Sequence, residues 1–214
     1  MENKVSNYDR LCAEWAEKFT RMDKTELMKR LPEIKLNEKQ DSFVIKHFDR
    51  TYFVSFETGK IFCKETGKPA ERNPALNIYT LFGYVKENAQ LSGEWAPFEK
   101  LKNASPFEAA YKKNIILPLG AAFDRKSDLL ETALRKMGGI KIGYSDVGYE
   151  IKAFECIPMR VLFWNGDDEF AAQTNILFDM SATDFIHVES TVSIASEALE
   201  RLCGLAGVEM RGGF

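Results

Sequence analysis

One imidazole stands out for the chemistry it could do. His187, in the segment FIHVES, is one of only two histidines in the chain. An imidazole just before a helix can ligate a metal or a tetrapyrrole, or exchange protons near neutral pH. Asp179 ends the apolar run TNILFD shortly before it. An acid at the end of a buried strand either caps the next turn through an Asx bond or meets a ligand, because open sheets place sites at strand ends. Trp164 closes the run RVLFW, and Trp95 closes LSGEW directly after Glu94. The two indoles offer flat apolar surface and the acids offer polar anchors. His187, Trp164, Trp95, Glu94 and Asp179 are therefore the expected ligand-binding residues. A second chemistry uses acids alone: Glu94, Asp167, Glu169 and Asp179 would converge, with one carboxyl raised by its neighbours to act as general acid or base. Each feature also has a plain structural role. Asp167, Asp168 and Glu169 suit a solvated hairpin tip, and His47 alternates with Phe43 and Ile45 as a strand residue would.

Several chemistries are absent from the sequence. It contains no GxSxG, no Walker loop, no GxGxxG and no HExxH. The acids after Asn165-Gly166 lack the alternating oxygen positions and closing glutamate of an EF-hand. Cys12, Cys63, Cys156 and Cys203 form no CxxC and no finger spacing with histidine, so they are expected as free, mostly buried thiols with no bound metal. The formal net charge of −3 gives no basic footprint for nucleic acid. No apolar run is long enough to span a bilayer and no secretory h-region opens the chain, which predicts a cytoplasmic protein with no membrane partner.

The elements that must position these residues are readable from periodicity. The 214 residues, 45% apolar with sixteen phenylalanines, predict a single domain over 1–214 with a sizeable core. Leu11, Trp15, Phe19 and Met22 fall on one helical face, so 1–31 is expected as a helical N-terminal segment. If that face were open instead of packed, it would anchor a protein partner or a second copy. Residues 43–64 read as a three-stranded meander. Asn73 and Pro74 are expected to start a helix, PFEAAYKKNIILPL to form another, and Ser127 to cap a third that stops at Gly138. DVGYEIKAF, PMRVLFW and AAQTNILF read as strands, with Asn165-Gly166 as a tight hairpin turn. In PMRVLFW both faces are apolar, as in a central strand. A closing helix carries Leu199 and Leu202, Ser190 could cap it, and 205–214 is expected as a flexible tail. The class is α+β: an antiparallel sheet from the N-terminal meander and C-terminal hairpin, with helices packed on it.

LSGEW (91–95), WNGDDEF (164–170) and ILFDMSA (176–182) occur in this order and resemble the family known as domain of unknown function 3786, found mostly in anaerobic bacteria and archaea. The matching positions are Gly93, Glu94, Trp95, Trp164, Gly166, Asp167, Glu169, Phe170, Phe178 and Asp179. They suit a fold signature as well as a pocket. The resemblance implies a setting in anaerobic cofactor or one-carbon metabolism. Some relatives carry an N-terminal iron–sulfur segment, which the single Cys12 cannot supply here. With His187 as an axial ligand, the resemblance implies a small-molecule or cofactor-binding protein, with a corrinoid or heme as the candidate ligand.

Overall fold

The computed structural model describes residues 7–210. The chain opens with α1 (Asn7–Arg21) and α2 (Lys24–Arg30). Asp23 caps α2, accepting from the Glu26 N–H. Trp15 and Phe19 turn inward: Phe19 is fully buried against Phe43, Phe56 and Phe82, and Trp15 lies over Gly83 so closely that a Cβ there would sit 2.5 Å from the ring. The apolar face of α1 thus packs on its own core, while Leu11 stays exposed.

The meander is a four-stranded antiparallel sheet, β1 (Lys35–Leu36), β2 (Ser42–His47), β3 (Arg50–Ser55) and β4 (Ile61–Cys63), in that spatial order. Phe43, Ile45 and His47 all point inward, as the period of two dictates. α3 (Arg72–Tyr84) follows. Its N-cap is Glu71 and no side chain caps it, so Asn73 does not do so; Pro74 lies within the first turn, where a missing N–H costs little. β5 (Trp95–Pro97) comes next. The expected single helix over PFEAAYKKNIILPL is composite: α4 (Glu108–Tyr111), a π-helical turn at Lys112–Ile116, then α5 (Leu117–Phe123). α6 (Ser127–Lys136) begins at Ser127, but Lys126 holds the cap position, and Gly138 ends the turn at φ 76°.

β6 (Ile140–Lys141), β7 (Val147–Phe154), β8 (Ile157–Trp164) and β9 (Gln173–Asp179) join β5 in a second antiparallel sheet, ordered β5-β9-β8-β7-β6. The meander and the hairpin therefore form two sheets and not one, and β8 is the central strand of the second. The sheets meet where β2 touches β7: the carbonyl of Ala153 accepts both the Phe48 N–H and His47 Nδ1–H, each at 2.8 Å, and the His47 ring stacks on Phe154. Asn165-Gly166 is not a tight turn, because β9 starts only at Gln173. The loop folds back instead, with Asp167 accepting from the N–H groups of Glu169 and Phe170. α7 (Ala182–Phe185) and α8 (Val188–Ala206) close the chain. Leu199 and Leu202 are buried. Leu205 and Ala206 still belong to α8, and Val208 and Met210 pack on the core; the rest of the expected tail, 211–214, lies outside the described residues. Cys63, Cys156 and Cys203 are buried free thiols, and Cys12 is half-buried.

Candidate functional site

Asp179 is the most heavily bonded of the expected residues. Ser92 donates through its N–H at 3.0 Å and its hydroxyl at 2.7 Å, Gly93 through its N–H at 2.8 Å, and Ser181 through both groups at 2.9 and 2.6 Å. Burial is the largest single influence on its carboxyl and pushes it up, but the bonds from Ser181 and Ser92 together hold it at about 2. The carboxylate is saturated and clasps the LSGEW segment to the end of β9. Glu94 lies in the same clasp, its carbonyl accepting the Met180 N–H. Trp95 pairs with Asp179 across β5 and β9, and its ring is covered by the Arg160 guanidinium at 3.8 Å.

Trp164 stands apart from these three. It pairs with Gln173 at the far end of β9 from Asp179, roughly 20 Å along the strand. Asp167 and Glu169 lie in the loop beyond that end, so Glu94, Asp167, Glu169 and Asp179 do not converge. Among the described residues no group of three His, Cys, Asp or Glu side chains could hold a metal. His187 is exposed and is the N-cap of α8, the place expected for Ser190; its Nδ1 accepts the Glu189 N–H at 3.3 Å, and its ring leans on Tyr84 at 5.2 Å. The ring is thus engaged at Nδ1 by the helix start, and its Nε2 edge is in contact with no described acid or thiol that could share a metal.

The polar groups that converge lie elsewhere. His47 is fully buried, and its Nε2 faces Glu197 Oε2 at 2.8 Å. Both ring nitrogens thus face acceptors, Ala153 O at Nδ1 and Glu197 at Nε2. Asn77 donates to the same carboxylate oxygen at 3.0 Å. Arg201, one turn further along α8, closes on Glu197 Oε1 at 2.9 and 2.7 Å and reaches Asp49 at 2.6 Å and the Tyr52 hydroxyl at 3.2 Å. Burial would raise the Glu197 carboxyl, but His47 and Arg201 outweigh it and hold it low.

This network floors a cleft of about 570 Å³. Asp49 and Arg50 come from the β2–β3 turn, Glu71, Arg72, Asn73 and Pro74 from the start of α3, and Glu200, Gly204 and Leu205 from α8 beside Glu197 and Arg201. Glu200 is pushed the other way from Glu197: burial first, then the charges of Glu197 and Glu71, raise its carboxyl. Next in sequence to Asp49, the buried Phe48 holds φ 53°, a left-handed conformation costly for a bulky residue. The sequence did not reveal this site because its parts carry no motif. The one local signal is that Glu197 and Arg201 share a helical face with Ile194.

The sequence profile described as "Domain of unknown function (DUF3786)" matches residues 24–201. The chain belongs to this family. The DUF3786 match takes in both sheets, the Asp179 clasp and the buried network as far as Arg201; α1 precedes it. No curated protein and no solved structure matches the chain. No described helix is long and apolar enough to cross a membrane.

Proposed function

We propose that this DUF3786 protein is a cytoplasmic small-molecule or cofactor-binding module of anaerobic metabolism, and that its ligand sits in the cleft between the start of α3 and α8. The observation that carries this reading is the buried charge at the cleft floor. Glu197 is held ionised against its burial, and desolvating charges costs several kcal/mol per ion before pairing offsets it. Perturbed acids in a concave site mark candidate binding positions. The volume falls within the range of roughly 300–1,000 Å³ usual for small-ligand sites.

A corrinoid or heme is tested directly. Hydroxocobalamin and hemin are titrated separately while visible spectra are recorded; no spectral shift with either, or a shift unchanged in His187→Ala, ends the axial-ligand idea. For the cleft, a panel of polar metabolites is screened by thermal shift against the full chain, Glu200→Gln and Arg50→Ala. Ligand at about 100 times its Kd stabilises by about 2.7 kcal/mol. The cleft is the expected seat of any hit whose shift is lost in both variants; a hit that shifts all three proteins equally places the ligand elsewhere.

One observation favours a second, catalytic reading. Glu197 and Glu200 lie one turn apart and are pushed in opposite directions, and such splitting is how acid and base roles are divided in carboxylate sites. Glu200 would then be the proton donor. Turnover of a bound metabolite that is abolished by Glu200→Gln, with binding retained, separates this reading from binding alone.

A further inference from the structure

The charges of the cleft between α3 and α8 fall into two sets. Glu197, Arg201 and Asp49 close on one another at the floor, at 2.6–2.9 Å. Arg50, Glu71 and Glu200 line the same cleft, and none of these three side chains makes a hydrogen bond or ion pair with a described residue. Arg72 lies over the Tyr8 ring at 4.5 Å. The backbone sets where the second set stands. Arg50 shares a face of β3 with Tyr52, whose hydroxyl meets Arg201 of α8. Glu71 is the N-cap of α3, but its side chain bonds none of the first N–H groups, so the positive end of a 13-residue helix is left uncapped. Gly204 and Leu205 bring the last turns of α8 to the cleft, the negative end of that helix. That end has no base of its own, and Lys136 reaches only the Leu205 carbonyl, at 3.5 Å. A positive pole with Arg50 and a negative pole with Glu200 therefore meet in one cleft. Glu200 feels Glu197, Glu71 and Arg201 but not Arg50, so the unpaired base and acid stand apart without quenching each other.

Resting on the reading of this cleft as a ligand site, we propose that it takes a compact zwitterion, a molecule with a carboxylate and an ammonium group a few atoms apart, as in a free amino acid. The carboxylate sits at Arg50 and the start of α3, and the ammonium sits between Glu200 and Glu71. Only this class meets every unpaired charge. A plain anion would face two acids, a plain cation would leave Arg50 unmet, and a neutral molecule would desolvate all three without compensation. A metal ion fits poorly, because among the described residues no three acids, thiols or imidazoles gather to hold one. The ligand is compact because the poles adjoin: Glu71, at the start of α3, acts on Glu200 of α8. About 570 Å³ holds an amino acid together with its side chain.

Thermal shift on the full chain tests this with the standard L-amino acids, β-alanine and γ-aminobutyrate, each up to about 10 mM, above the Kd of a weak site. The best binder is then compared by calorimetry with its amide, which lacks the carboxylate, and its N-acetyl form, which lacks the ammonium. Each derivative is expected to bind at least ~10-fold more weakly. Arg50→Ala weakens the zwitterion by a similar factor but leaves the amide unaffected. Glu200→Gln weakens the zwitterion but leaves the N-acetyl form unaffected. No shift with any of these zwitterions overturns the inference, as does a derivative that binds as tightly as its parent, or a zwitterion indifferent to both variants. The broader reading of the cleft fails separately. A plain anion or cation whose shift is lost in both variants overturns the zwitterion and keeps the cleft as a ligand site; a full metabolite panel with no cleft-dependent hit removes both.

Discussion

The carboxylate of Asp179 and the backbone N–H of Gly93 meet at 2.8 Å across 86 residues of chain. Two of the segments that carry the resemblance to the family are thus one clasp, with Asp179 as acceptor and Ser92, Gly93 and Ser181 as donors. Asp179→Ala leaves these donors facing no acceptor and is expected to cost about 3 kcal/mol. Urea unfolding measures it, and a loss below about 1 kcal/mol would contradict the clasp.

The same carboxyl fixes an acid limit. Its folded value of about 2 lies below the ordinary 3.8. A depressed acid contributes fully above its unfolded value and loses the contribution as pH falls through the folded one. Glu197, also held low, adds in the same direction. Stability is expected to fall between about pH 4 and about pH 2, with a shallower slope in Asp179→Asn. Melting temperatures across that range, wild type beside variant, read the difference.

Removing Glu197 leaves the buried His47 Nε2, the Asn77 amide and half of Arg201's hydrogen bonds without their acceptor. Glu197→Ala is expected to cost about 3–5 kcal/mol, the range for breaking a buried pair from one side. Replacing both partners removes the charge as well as its mate. The cycle of His47→Phe, Glu197→Leu and the double variant should therefore show a coupling above about 1 kcal/mol. Additive effects would mean that the two groups do not sense each other.

Glu200 behaves in the opposite sense. A raised acid contributes stability below its unfolded value and loses it as pH rises through its folded one. At neutral pH its charge is a cost, so Glu200→Gln is expected to melt about 2 °C higher. A gain in stability coupled to a loss of ligand binding marks a residue kept for function. An unchanged or lower melting temperature would remove that argument.

Gly59 holds α1 close. It has φ 68°, and a Cβ there would lie 2.2 Å from the Ala16 carbonyl oxygen. Gly59→Ala is expected to undock the helix, exposing Trp15 and Phe19, at about 1.5–3 kcal/mol for each large side chain released. Faster hydrogen exchange along α1 and a red-shifted tryptophan emission would report it.

The sequence carried the local patterns more clearly than their assembly. The apolar residues on both faces of PMRVLFW were readable, and β8 is indeed central in its sheet and buried on both faces, because a strand with neighbours on either side needs no polar face. Whether two strand groups share a ladder depends on contacts far apart in sequence, and here β2 and β7 touch through the Ala153 carbonyl and the His47–Phe154 ring stack without forming one. Asn165-Gly166 suggested a tight turn, but Gly166 packs under Asp124, Phe170 and Ala172, so the loop is shaped by α5 and by its own backbone. His187 suggested metal chemistry from its residue type alone; what the fold adds is its place at the start of α8, where Nδ1 caps the helix. The cleft was hidden because Asp49, Glu71 and Glu197 belong to three distant segments.

The pairing of His47 with Glu197 spans 150 residues, and this has a consequence for a chain made from one end. At about 5–20 residues per second, the meander sheet leaves the ribosome on the order of ten seconds before its carboxylate partner is synthesised. For most of that interval the inward-facing imidazole has neither Ala153 nor Glu197 beside it. Burying it would be costly, so the first sheet is held short of its final packing. The last helix, when it emerges, is what allows the first third of the molecule to close.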